Sequence, residues 1–279
     1  MAALLTALDH VLIHTQDFPD DLDNYTSLLG SAPAVTHTVA GERSAVFSAG
    51  NTALVLQESD SGEGLGGLCF RTADRDRLRR RLKRLGMAFA ADGADDSAAA
   101  VHGAALGEGI DWLEVEASRG LRMGFVAREG VATPDGSGTS AERSGLLGLD
   151  HAVIASSSAE GTAFLLAAKL GLDLRLDLSR PDWNARLLFF RCGDLIIEVF
   201  QQLSTDESSA ETSGIPADED RYYGLSWRTA SAEAAQVQLK DAGFNVSELR
   251  RGRKPGTRVF TVRDRSAGVA TLMLEPNSL

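Results

Sequence analysis

The six residues Leu8-Asp9-His10-Val11-Leu12-Ile13 return as Leu149-Asp150-His151-Ala152-Val153-Ile154. A second stretch, Gly67-Leu68-Cys69-Phe70-Arg71-Thr72-Ala73, returns as Gly224-Leu225-Ser226-Trp227-Arg228-Thr229-Ala230. Matches in the same order are the signature of a duplicated unit. The extra spacing in the second copy falls in residues 201–220, rich in Ser, Glu, Asp and Thr, which read as a loop. The chain therefore divides into residues 1–128, a linker at 129–145 carrying Thr133-Pro134-Asp135-Gly136-Ser137-Gly138, and residues 146–279.

Each copy divides again. In the second, a strand at 149–155 precedes a helical stretch at 159–170 that stops at Gly171, and strand-like runs follow at 172–178, 185–191 and 195–201. The order then repeats, with a strand at 225–229, a helix at 232–242 up to Gly243, and strands at 244–249, 258–262 and 269–275. Each half of a copy reads βαβββ, so the chain reads as an α+β fold of four such modules. The first copy keeps this plan with weaker strands between residues 88 and 109, where Ala, Gly and Asp crowd together.

Composition sets the class. The 279 residues suit two domains of ordinary size, and a 43% hydrophobic fraction is that of a globular chain. With 28 Lys and Arg against 39 Asp and Glu, the formal charge of −11 argues against nucleic-acid or anionic-membrane partners. No apolar run approaches the ~20 residues of a membrane helix. The opening eight residues lack a basic n-region and are followed by Asp9 and His10, so they do not read as a signal peptide. Cys69 and Cys192 lack disulfide-framework or zinc-ribbon spacing, and read as buried thiols of a cytoplasmic protein. No Walker A, GxGxxG, GxSxG or HExxH pattern stands at a useful position.

Paired βαβββ modules, an opening Leu-Asp-His strand in each copy and a Glu in a fourth strand resemble the vicinal oxygen chelate superfamily. That group includes glyoxalase I, extradiol dioxygenases, epimerases, and fosfomycin and bleomycin resistance proteins. The resemblance covers nearly the whole chain, as two tandem glyoxalase-like domains. It implies cup-shaped mixed sheets with helices outside and a divalent metal held inside a cup by first- and fourth-strand residues of each module. In the second copy those positions match His151 and Glu198, then Gly224 where a His is usual, then Glu275. A stricter count from the turn at Gly268 places the last ligand on Leu272. In the first copy His10 survives, but the other positions fall on Gln57, Gly67 and either Ala127 or Gly124. The resemblance thus implies a degenerate first cup and a second cup in which His151, Glu198 and Glu275 hold Zn, Ni, Mn or Fe. Glu198 or Glu275 would move the proton in a lyase or isomerase reaction on a small oxygenated substrate. The missing His argues against ring cleavage.

Alternation of faces along a strand assigns the rest. If His151, Glu198 and Glu275 face the cup, then Phe200, Ser226 and Arg228 line it, and Ala152, Ile154, Ile197, Val199, Leu272 and Leu274 face the helices. Either Phe189 or Phe190 must line the cup, and Phe190 is taken as the substrate contact. Trp183, on a loop, closes over the ligand, and Tyr223 points to the opposite face. Arg228 is also the expected ion-pair partner of Glu198. The cluster from Arg250 to Arg258 is a strand-joining turn at the cup's rim, from which Arg258 would hold an anionic group. A second basic run, Arg75 to Arg84, places Leu78, Leu82 and Leu85 at helical spacing toward the sheet and its cations on the solvent face. The competing expectations are a metal-free binding or sequestration protein of bleomycin-resistance type, and a duplication that serves assembly with neither cup active. In the first two cases the partner is a small molecule, and the chain is a monomer or homodimer.

Overall fold

The computed structural model describes residues 3–39, 41–90, 109–128, 145–203, 215–216 and 218–277. The expected linker at 129–145 therefore lies outside the described residues except for Gly145, as do residues 91–108 of the weak first-copy region and most of the loop at 201–220.

The first sheet is built from β1 (Ala7–Thr15), β2 (Val35–Val39), β3 (Glu42–Ala49), β4 (Thr52–Glu58), β5 (Gly64–Arg71), β6 (Asp111–Trp112) and β7 (Met123–Val126), in the order β2-β3-β4-β1-β5-β7-β6. The second is built from β8 (Leu146–Ser156), β9 (Asp173–Arg180), β10 (Ala185–Cys192), β11 (Leu195–Gln202), β12 (Asp220–Thr229), β13 (Arg250–Arg251), β14 (Arg258–Val262) and β15 (Ala270–Glu275). Its order is β13-β14-β15-β12-β8-β11-β10-β9. In each sheet the opening strands of two modules lie antiparallel side by side, β1 with β5 and β8 with β12. The modules therefore pair within each sheet, and each opening strand runs parallel to the last strand of its own module.

Among the described residues the α-helices are α1 (Phe18–Leu29), α2 (Arg75–Arg84), α3 (Ala159–Ala163, continued as a π-helix over Phe164–Lys169) and α4 (Ala232–Asp241). All four begin the same way. Asp17, Asp74, Ser158 and Ser231 accept a backbone N–H three residues on, which satisfies one orphan donor of the first turn. Under the helices lies one apolar core containing Val11, Ile13, Leu54, Leu68, Ile154 and Trp227, the face that alternation assigns to it. On α2, Leu78 and Leu82 are buried, worth roughly 1.5–3 kcal/mol each. The ion pairs of Arg75 and Arg79 with Asp111 are partly exposed on the arginine side and are worth less. Apolar burial therefore docks this helix. Leu85 does not take part: it follows the last helical turn and is exposed.

One strand is shorter than its periodicity suggests. Residues 244–249 make a single bridge, Val246 to Val262. Here the Asp264 carboxylate accepts from the Asn245 N–H and the Ser247 hydroxyl accepts from the Thr261 N–H. Such local side-chain bonds compete with a ladder.

The halves pack reciprocally. The β3–β4 turn at Gly50-Asn51 rests on β8, where Asn51 accepts from the Leu149 N–H at 2.8 Å and donates to Asp194. The matching turn at Gly193-Asp194 rests on residues 6–7 of the first half. Arg119 reaches Asp220 at 2.9 Å, and the Tyr222 hydroxyl donates to the Arg122 carbonyl. No helix among the described residues is long and apolar enough to cross a membrane.

Candidate ligand site

The Leu-Asp-His motif works through a bulge. On β1, Leu8 pairs with Phe70 and His10 with Cys69, leaving Asp9 as the extra residue. On β8, Leu149 pairs with Trp227 and His151 with Ser226, leaving Asp150. An extra residue breaks alternation, so adjacent side chains meet instead of pointing apart. In each copy the aspartate lies against Nδ1 of its histidine, at 2.8 Å for Asp9–His10 and 2.5 Å for Asp150–His151. An arginine backs each pair, Arg71 at 3.8 Å and Arg228 at 3.7 Å. Burial would raise the Asp150 carboxyl, but His151, Arg228 and Lys254 together hold it below the usual range.

In the second sheet the cup face carries His151, Glu198, Phe189, Phe200, Ser226 and Arg228. His151 and Glu198 keep 21% and 17% of their side-chain surface, which leaves both within reach of a ligand. The Phe189 ring stands edge-on to the His151 ring at 6.2 Å. Ser226 is buried opposite His151, and its hydroxyl makes no hydrogen bond among the described residues.

Several expected placements are corrected here. Phe190 is wholly buried in the core under the helices, and its neighbour Phe189 takes the cup position. Tyr223 reaches the cup, where its ring meets Phe200 edge-on at 5.1 Å, because a second bulge between Tyr222 and Gly224 reverses the face. Arg228 pairs with Asp194 at 2.9 Å and Asp150, not with Glu198. Glu198 has Arg253 instead, at 3.7 Å. Arg258 stands with Glu233 and Glu275 on the helix side, away from the cup.

The largest correction concerns Glu275. Met273 of β15 packs in the helix-side core, so Glu275, two residues on, shares that face. Its carboxylate accepts the Ala232 N–H at 2.8 Å, at the start of α4, where a negative charge is favoured. Leu272 and Leu274, expected to face the helices, therefore take the cup side, where the stricter count had put Leu272. Glu275→Ala is expected to cost about 1 kcal/mol of stability, like loss of a helix cap, and to leave ligand binding in the cup unchanged. A change in ligand affinity in this variant, read by calorimetry, would place Glu275 back in the site.

The donor set decides whether a divalent ion fits. Of the four cup positions, His151 and Glu198 carry donors, whereas Gly224 and Leu272 do not. Gly224 is closed off: a Cβ there would stand 2.3 Å from the Ala270 carbonyl oxygen and 2.9 Å from its Cβ. Open metal sites commonly keep three protein ligands, and among the described residues no three such donors converge in this cup. The residues present do not fit the ion that the resemblance implies.

Three donors do converge in the first half, where Asp9, His10 and Cys69 are fully buried. Asp9 already answers Arg128 at 2.8 Å as well as His10. Burial holds the Cys69 thiol well above its usual range and lowers His10, so both are neutral. With guanidiniums beside it, this cluster is unsuited to a second cation. The cup around it is filled by Leu12, Val46, Ala53 and Val55. Val55, not Gln57, is the counterpart of Glu198, because Val55 pairs with Leu12 as Glu198 pairs with Val153. The hairpin turn, not an ungapped count, sets that register.

No family model and no curated protein matches the sequence. Solved structures match over the full length. The 2,3-dioxygenase LapB from Pseudomonas sp. KL28 is 14% identical, with 100% of this chain and 94% of that one covered and a TM-score of 0.72. The Mn(II)-bound glyoxalase from Novosphingobium aromaticivorans is 14% identical over 99% of this chain and 84% of that one, at 0.70. A 4-hydroxymandelate synthase mutant from Streptomyces coelicolor is 12% identical over 99% and 94%, at 0.70. The fold is the one shared by these solved structures, and it is the fold that the resemblance read from the sequence implies. Two of four cup positions lack a donor in the second half, and apolar side chains fill the first.

Proposed function

We propose that the protein binds a small organic molecule in its C-terminal cup without a metal ion. The observation that carries this reading is the pair Gly224 and Leu272, which leaves His151 and Glu198 as the two metal-type donors on a wall that also holds Ser226, Arg228 and a set of aromatic rings. Such a wall, apolar with a few convergent polar groups, is that of a ligand pocket. Phe189, Phe200 and Tyr223 supply the apolar contact. The Ser226 hydroxyl, buried with no hydrogen-bond partner among the described residues, is a hydrogen-bonding group left for a ligand. A metal-assisted lyase or isomerase needs a third donor, and Glu275 is committed to α4.

Metal analysis of the purified, untagged protein tests the reading. After loading with Mn, Zn, Ni or Fe and removal of free ion, the expected content is below about 0.1 equivalent, given two protein ligands. Near one equivalent, lost in Glu198→Gln, would overturn it and restore the metal-assisted reading.

A further inference from the structure

The rim of the C-terminal cup holds a contact that the ligand positions do not explain. β9–β10 and β13–β14 are the outermost hairpins at opposite edges of the eight-stranded sheet. Their tips nevertheless meet. Trp183, in the short turn Pro181–Trp183 between β9 and β10, lies under the guanidinium of Arg253, 4.4 Å from the ring centroid. Arg253 belongs to the turn between β13 and β14. The sheet thus curls until its edges are joined by one arginine and one indole. Arg180 lies over the same ring at 5.4 Å, so two guanidiniums share a single indole.

The charges at this clasp do not balance. Arg253 has Glu198 at 3.7 Å, beyond hydrogen-bonding distance, and Arg180 makes no ion pair among the described residues. Arg228 and Asp150 are taken up with each other and with Asp194 and His151. Among the described residues, the loose contact with Glu198 is thus the only ion pair these two cations make, in a chain whose net charge is −11. Neither clasp residue is locked in place: Arg253 is 65% exposed and Trp183 47%. A guanidinium on an aromatic face binds a planar carboxylate through paired N–H groups, and the exposed indole offers a stacking surface beside it.

We propose that the clasp of Arg253 and Trp183 makes the cup selective for planar aromatic carboxylates. The ligand's ring lies among Phe189, Phe200 and Tyr223, and its carboxylate takes the Arg253 guanidinium in place of Glu198. This rests on the C-terminal cup being a ligand site, and it adds the class of ligand and the residue that selects it.

Calorimetric titration with three probes that share one naphthalene ring tests this: 2-naphthoate, its near-isostere 2-naphthamide, and 2-naphthylmethylammonium. The expected result is naphthoate at least tenfold tighter than the amide, with the ammonium weakest. In Arg253→Gln, a change in an exposed turn, the carboxylate and amide affinities should converge while the amide affinity stays. Trp183→Ala should weaken all the probes, and Trp183→Phe should restore part of the loss. Equal binding of acid and amide by the unaltered protein, or a preference that survives Arg253→Gln, would overturn the clasp's role while leaving a ligand-binding cup intact. Binding of none of the three would overturn the clasp proposal and count against the cup as well.

Discussion

Asp9→Ala is expected to lower the unfolding free energy by about 3–5 kcal/mol, the usual cost of removing one partner from a buried ion pair. Asp9 has no exposed surface and lies 2.8 Å from both His10 and Arg128, with Arg71 at 3.8 Å. Deleting it leaves two guanidiniums in a low dielectric without the carboxylate between them. The matching change in the second copy, Asp150→Ala, is expected to cost about 1 kcal/mol or less. Asp150, His151 and Arg228 are each about one-fifth exposed, and Arg228 keeps Asp194. Urea unfolding of the two variants checks both figures. Equal losses would mean that the two Asp-His pairs serve the same purpose, against the assignment of one to structure and the other to a ligand cup.

Gly224→Ala is the second large effect. The added methyl would meet the backbone of β15, with the Ala270 carbonyl oxygen 2.3 Å away, and β15 is hydrogen-bonded into the sheet on both sides. A flexible side chain could swing aside; a paired strand cannot. Forcing atoms into such a place typically costs about 1–3 kcal/mol, and the closeness of this contact puts Gly224→Ala at the upper end, a fall in Tm of roughly 5–10 °C. Gly224→His tests the same point chemically. It restores the imidazole usual at this position in the superfamily the sequence resembles, yet it is expected to fold less stably and to gain no stoichiometric metal. A Gly224→His protein with unchanged Tm and one bound ion would show that the strand had room all along.

The first copy shows how far duplication constrains chemistry. Both copies keep Leu-Asp-His, the bulge and the backing arginine, yet they use them differently. In the first, Leu12, Val46, Ala53 and Val55 fill the cup face and seal the pair. In the second, Glu198 stands where Val55 does, and the wall stays open around it. Burial, not the motif, separates a structural histidine from an accessible one.

The repeat of Leu-Asp-His and of Gly67 to Ala73 in Gly224 to Ala230 was enough to establish duplication, the βαβββ modules and the fold. Those features depend on local pattern, and period-two alternation carries them faithfully along regular strands such as β4 and β11. The helices of the second copy were equally legible: the stretches read from residues 159 and 232 begin at Ala159 and Ala232. Where alternation was interrupted, reading residue by residue failed. Bulges at Asp9, Asp150 and Tyr223 turn a side chain to the other face, and none of the three has a composition of its own. The face of Glu275 depended on which residue of β15 met Ser226, a pairing set by strands far apart in sequence. The counterpart of Glu198 depended on a hairpin turn, and the partner of Trp183 on the curl that brings two sheet edges together. Those contacts join elements remote along the chain, so their geometry is fixed by how the strands register and how the sheet twists, and no short stretch of residues encodes it.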